Sequence, residues 1–317
     1  LFETNKNYIF GKRDLEEGFR KAFKGNWGSK ENTKRIGVLQ DLNRLSFNGY
    51  LSHMRKTNLP FDSSNKNPEP RHLHGSQWGF IDPLDTPDGG NIGLHKHLSI
   101  SSHITVGSLS RDKIINWLRE KITMRLLNES SPKVISNMTK IFVNGFWAGC
   151  VYDPIECVDK IKAYRRNALL PIYLSINFDI PLNTIFIYCD SGRICRPIFY
   201  RDNDKLSITN SKIMEKIKKN QFSWEELTTG FNEKKNELYT KNHNQIFELG
   251  DLYEGLKDET NIKKVDKLDV FKAPIDYIDS NETENALICM DYEEFDNKKY
   301  THMEIDKSLI LGILSNQ

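Results

Sequence analysis

Six of the eight histidines, His53, His72, His74, His95, His97 and His103, fall within 51 residues. His72/His74 and His95/His97 are i, i+2 pairs, which a strand would place on one face. That spacing can ligate zinc, but no cysteine or well-placed carboxylate completes a set. Pairing with backbone or with phosphate would satisfy the same side chains. Asp82, Asp85 and Asp88 stand three apart in Asp82-Pro83-Leu84-Asp85-Thr86-Pro87-Asp88-Gly89-Gly90. Three carboxylates could hold Mg²⁺. The two prolines forbid the helix that would align them, and turn and cap chemistry accounts for the same residues. No Gly-x-x-x-x-Gly-Lys-Ser/Thr loop, His-Glu-x-x-His or Gly-x-Ser-x-Gly is present.

The elements that must position these residues belong to a chain of 317 residues, a length that suits two or three domains. With 38% hydrophobic and 28% charged residues it can bury a core. The net charge of +2 is too small for a uniformly basic coat, so any nucleic-acid surface must be a local patch. Residues 34–71 carry seven bases against three acids, whereas residues 276–306 carry ten acids against Lys298 and Lys299. The first stretch could lie against a polyanion that the second would repel; a solvated face explains either run without a partner. Five cysteines without a Cys-x-x-Cys pair argue against a disulfide scaffold or a cysteine-rich zinc site and for a reducing compartment. No apolar run approaches the 18 residues of a membrane span, and polar residues interrupt positions 2–10 where a signal peptide would lie. The chain opens on leucine and stops soon after the apolar run Leu309-Ile310-Leu311-Gly312-Ile313-Leu314, which reads as a piece of something longer.

The periodicity predicts a helix over 13–24, with Leu15, Phe19, Ala22 and Phe23 on one stripe. Near-helical spacing over 37–52 is followed by a polar loop at 61–70, irregular backbone at 82–93 and a strand over 94–100. In that strand Leu94, Lys96, Leu98 and Ile100 would face away from His95, His97 and Ser99. Ser110 should cap a helix carrying Ile114, Ile115, Leu118 and Ile122 inward. Residues 140–143 and 146–152 form a hairpin across Asn144-Gly145. Asp153-Pro154 opens a helix with Ile155, Val158 and Ile161 buried. A second hairpin is expected over 184–189 and 194–200 around Asp190-Ser191-Gly192. Ser223-Trp224-Glu225-Glu226 is a capping box, and residues 232–267 read as an exposed helical or linker segment. These elements make an α+β chain of several small modules, with mixed helices and antiparallel hairpins.

The segment Arg71-His72-Leu73-His74-Gly75-Ser76-Gln77-Trp78-Gly79, followed by Pro83, Asp85-Thr86-Pro87-Asp88-Gly89, Gly93-Leu94 and Leu98-Ser99, closely resembles one family's fork signature. That family is the second-largest, beta-type subunit of multisubunit DNA-directed RNA polymerases. The resemblance extends to Gly25-Asn26-Trp27-Gly28, Leu42-Asn43-Arg44, the segment Leu51 to Asn58, Phe142 to Gly149, Asp190 to Pro197, Tyr300 to Ile305 and Leu309 to Gly312. It is nearer the eukaryotic, archaeal and large-DNA-virus forms than the bacterial one, and the Lys- and Asn-rich composition favours a viral source.

The resemblance implies the end of a protrusion-like module at 1–17, a fork module at 18–104, external modules at 105–215 and 216–299, and the start of a hybrid-binding module at 300–317. Gln40, Asn43, Arg44, His53, Arg55 and Lys56 would line a wall near the growing RNA. Lys56 stands where many relatives have Arg and so offers a point charge rather than a bidentate fork. Residues 63–70 would be fork loop two, carrying Lys66, with Arg71 beside it as a phosphate or template contact. Pro87, Asp88 and Asn91 would flank the 3′ region of the RNA, Asp88 replacing the commoner Glu. Trp78 and Leu94 are read as core residues, and Arg193 and Arg196 as members of structural ion pairs.

No residue here is expected to be catalytic. The Mg²⁺ of nucleotidyl transfer would be held mainly by the largest subunit, and no zinc is expected in this stretch. The implied partners are the largest and other polymerase subunits, template DNA, nascent RNA and nucleoside triphosphates, with no membrane. The implied location is the nucleus or, for a virus, host cytoplasm or virion. Two alternatives stand beside this reading: a non-catalytic nucleic-acid-binding or interaction protein reusing the fold, and a zinc-dependent hydrolase built on the histidine cluster.

Overall fold

In the computed structural model the chain folds into two compact units that interleave along the sequence. The first contains residues 1–72, 84–98 and 312–317, and the second contains 73–83 and 99–311. The structure describes residues 3–6, 14–23, 40–59, 61–107, 109–230, 245–248, 268, 272–295 and 299–314. The Gly25–Gly28 match, the bases Lys34 and Arg35, and nearly all of the expected 232–267 segment lie outside these.

The described residues of the first unit carry little regular structure. The expected first helix is present as Asp14–Phe23, with Leu15, Phe19 and Phe23 exposed. In the described part of 37–52 the expected helix is Phe47–Met54, because Ser46 accepts a hydrogen bond from Gly49 N and starts the helix there. Strands Lys56–Asn58 and His95–His97 form an antiparallel ribbon, with Lys56 opposite His97 and Asn58 opposite His95. The strand expected over 94–100 is thus shorter, and its two faces are not apolar and polar. Leu94, Lys96, His97, Leu98 and Ser99 are all buried while Ile100 is exposed, the polar residues being satisfied internally.

The described residues of the second unit form two sheets. One runs in the order Arg125–Leu126, Phe146–Val151, Thr139–Val143, Thr184–Tyr188, Ser175–Asp179. All its pairs are antiparallel except Thr139–Val143 with Thr184–Tyr188. Asn144 and Gly145 make the hairpin turn with φ of 49° and 77°, the left-handed backbone that this dipeptide adopts at least cost. The helices Arg111–Ile122 and Pro154–Arg166 contribute to its core, burying Ile114, Leu118 and Ile122 from one and Cys157, Ile161 and Tyr164 from the other. Asp153 caps the second helix, accepting from Ile155 N and Glu156 N at 3.0 and 3.1 Å. Ile155 is 66% exposed, against expectation, because the inward stripe runs through 157, 161 and 164 and leaves position 155 on the far side. Ser110 sits at the N-cap position of the first helix without a side-chain capping bond.

The second sheet is organised by one long strand, Ile194–Asp202, which pairs with Ile275–Asp279, His103–Ile104, Lys205–Leu206 and His302–Met303. The hairpin expected around Asp190-Ser191-Gly192 therefore does not form, since its two strands belong to different sheets. The turn instead closes on Thr105, whose N–H donates to Arg193 O and whose carbonyl accepts from Gly192 N, both at 2.9 Å. The capping box at Ser223–Glu226 is present, opening the helix Trp224–Thr229.

The acidic run is not simply a solvated face. Asp276, Asp279, Glu282 and Glu304 are buried and paired with arginines. Arg165 makes a bidentate bond to Glu282 at 2.7 and 2.9 Å, and Arg166 meets Asp276 at 2.7 Å. Arg193 reaches Asp279 at 3.1 Å, and Arg196 reaches Glu304 at 2.6 Å. The structural ion pairs expected of Arg193 and Arg196 are thus present. Burial opposes ionisation of Asp276, but Arg166 and Arg165 beside it outweigh that and hold its carboxyl well below the usual range.

Candidate nucleic-acid interface

Residues 40–46 have no regular structure, so side chains must fix them. The His53 ring does this from the Phe47–Met54 helix: Nδ1 accepts from Asn43 N at 3.1 Å and Nε2 donates to Gln40 Oε1 at 2.9 Å. That pattern requires a neutral ring carrying its proton on Nε2. Asn43 Oδ1 accepts from Leu45 N, and the Arg44 guanidinium lies over the Tyr50 ring at 4.7 Å. Gln40, Asn43, Arg44 and His53 are therefore brought together, with Gln40 and Arg44 exposed.

Arg55 and Lys56 lead into the ribbon. Leu98 N donates to Arg55 O, and Thr57 Oγ1 donates to Lys96 O. Lys56 is exposed, Arg55 half-buried and Lys96 buried, with Lys96 Nζ donating to His72 O at 3.3 Å. Burial lowers the pKa of Arg55 and of Lys96. The pKa of His95 is lowered by burial and then by the charges of Lys56 and His97.

The loop at 61–67 is shaped by Asx turns: Asp62 Oδ1 accepts from Ser64 N at 2.9 Å and Asn65 Oδ1 from Asn67 N at 3.0 Å. Those bonds from Ser64 hold the Asp62 carboxyl below its ordinary range. Lys66 is exposed on this loop. Arg71, expected to face phosphate, instead spends both terminal nitrogens on backbone. Nη1 donates to Gly90 O at 2.6 Å and Ile92 O at 2.9 Å; Nη2 donates to Ser63 O at 3.1 Å and Asn65 O at 2.9 Å. Asp88 and Asn91 are exposed and Pro87 half-buried on the loop that Arg71 grips.

Two residues of this arrangement escaped the sequence reading of the site. Thr86 Oγ1 accepts from Gly93 N at 2.8 Å and donates to His95 O at 3.0 Å, tying the loop to the ribbon. Gly93 has φ of 71°, and a Cβ there would collide with the Arg71 backbone. Both stand in the signature, but spacing alone does not tell a structural threonine from a ligand-binding one.

The three aspartates are not gathered. Asp82 is buried, Asp85 lies 3.2 Å from His97 Nδ1, and Asp88 is exposed. Among the described residues no group of three or more His, Cys, Asp or Glu side chains is placed to hold a metal. Leu94 is buried as expected, whereas Trp78 is 40% exposed, its indole lying at the surface. Its neighbour Gly79 has the packing role: with φ of 79°, a Cβ there would overlap the Arg196 guanidinium. Among the described residues no helix is long and apolar enough to cross a membrane.

Comparison with known proteins matches residues 40–104 to the family model described as RNA polymerase Rpb2, domain 3, and residues 141–202 to domain 4 of the same protein. The chain is 34% identical over 326 aligned positions to DNA-directed RNA polymerase II subunit 2 of Arabidopsis thaliana, covering 99% of this chain and 24% of that protein. It is 30% identical to DNA-directed RNA polymerase subunit 2 of Acanthamoeba polyphaga mimivirus, covering 95% of this chain and 24% of the relative. It is 26% identical to subunit Rpo2 of Sulfolobus acidocaldarius, covering 92% and 22%. The chain spans about a quarter of the length of the curated relatives it matches. The signature loops, the two domain models and the near-complete alignment agree: the chain belongs to the family of second-largest, beta-type subunits of multisubunit DNA-directed RNA polymerases.

Proposed function

We propose that the first unit forms part of the fork of a DNA-directed RNA polymerase, contacting template DNA and nascent RNA. The observation that carries this is the placement of exposed Gln40, Arg44, Lys66, Asp88 and Asn91 on loops and short turns fixed by His53 and Arg71, with exposed Lys56 on the adjoining strand Lys56–Asn58. Cations on fixed loops neutralise phosphates, and Gln and Asn reach sugar and phosphate without reading sequence. Asn43, His53, Arg55 and Pro87 support that face.

On this reading no step of nucleotidyl transfer is assigned to this chain. The ion, the nucleoside triphosphate and the bond-making chemistry belong on this reading to the largest subunit and the rest of the assembly. The setting is the nucleus or, for a virus, host cytoplasm or virion. This chain alone is expected to incorporate no nucleotide.

The test is the salt dependence of elongation-complex stability in the assembled polymerase. Lys56→Ala and Lys66→Ala should each weaken the complex and reduce the slope of log K against log salt by about 0.7–0.9. Slopes equal to wild type for both variants would remove the proposed contacts.

A further inference from the structure

Arg71 is a cation beside a loop proposed to meet DNA, yet all four Nη hydrogens point at carbonyl oxygens of its own chain, two on each of two segments. Ser63 and Asn65 lie in one loop and Gly90 and Ile92 in the other. Neither loop pairs with a strand, so their carbonyls have no ladder to satisfy them. No carboxylate among the described residues pairs with this guanidinium, so its charge polarises four neutral bonds instead of closing one ion pair. The second contact surface is backbone: Gly93, by lacking a Cβ, lets the end of one loop pack on the Arg71 peptide.

We propose that Arg71 is a positioning residue, a clasp that makes loops 61–67 and 88–92 one rigid body, rather than a phosphate ligand. The functional weight of the clasp rests on the fork reading above; the clasp itself does not. Only a planar fork serves this role. A lysine ammonium carries three donors on one atom and cannot span four carbonyls on two segments.

The test compares Arg71→Lys and Arg71→Ala in the assembled polymerase by amide hydrogen exchange and by salt dependence. The informative amides are Ser64, Asn65 and Asn67 in one loop and Ile92 and Gly93 in the other, each hydrogen-bonded within the clasped region. Both variants should speed exchange at both groups together, by about tenfold or more, with strand Thr139–Val143 still protected as proof of folding. The salt slope in Arg71→Lys should equal wild type. Protection retained in Arg71→Lys, exchange rising in one loop only, or a slope reduced by about one charge in Arg71→Ala and restored in Arg71→Lys would overturn the clasp. Coupled exchange with unaltered slopes in the Lys56 and Lys66 variants would count against the fork reading while leaving the clasp in place.

Discussion

Arginine does two different jobs in the two units. In the second unit Arg165, Arg166, Arg193 and Arg196 are buried or mostly buried and face carboxylates of residues 276–304. In the first unit Arg71 faces only carbonyls, while Arg44 rests on an aromatic ring at the surface. The side chain is the same, so the partner available decides the role. A buried guanidinium without a carboxylate is too costly to keep, so the second unit carries its acids inside. An exposed one needs no counter-ion, so the first unit leaves positive charge at its surface.

The contrast breaks most readily at the buried pairs. Glu304→Ala would leave Arg196 buried and unpaired, and should cost about 3–5 kcal/mol in urea unfolding. The double change Arg196→Met with Glu304→Leu should recover most of that loss. Equal losses in the single and double variants would show that shape, not charge, holds the site.

Acid probes the same region next. His302 lies among Asp276, Glu282, Lys162 and Arg166, and burial pushes its pKa down to about 4. The folded protein therefore resists a proton that the unfolded chain accepts near pH 6.5. The associated stability is complete above pH 6.5 and falls as pH drops toward 4, by about 3 kcal/mol at most. His302→Gln should flatten the pH dependence of unfolding across that window.

Smaller effects sharpen the boundary. Ser223→Ala removes the reciprocal capping box with Glu226 and should cost about 1 kcal/mol of thermal stability. Lys66→Ala should change unfolding free energy by no more than about 0.5 kcal/mol. Its salt slope in the assembled polymerase should still shift, separating an exposed cation from a structural one.

What the sequence disclosed tracks how local each interaction is. Asn144-Gly145, Asp153-Pro154 and Ser223–Glu226 are recognisable because every partner lies within a few residues. The strand Ile194–Asp202 looks like half of a hairpin in the sequence because its true partners lie up to about a hundred residues away. The buried acids were unreadable for the same reason. The candidate interface was legible as residue types and signature spacing, but the grip of Arg71 was not. Its four partners are carbonyl oxygens, and a carbonyl has no residue identity to show.

The contact of Gly79 with Arg196, and of Arg196 with Glu304, also constrains how this protein can be rebuilt. Gly79 supplies the room, Arg196 fills it and Glu304 neutralises what fills it. A chimera that exchanges the short 73–83 segment for a relative's must therefore carry compatible residues at 196 and 304. Swaps that cut between these positions would assemble the local turn correctly and still fail in the interior.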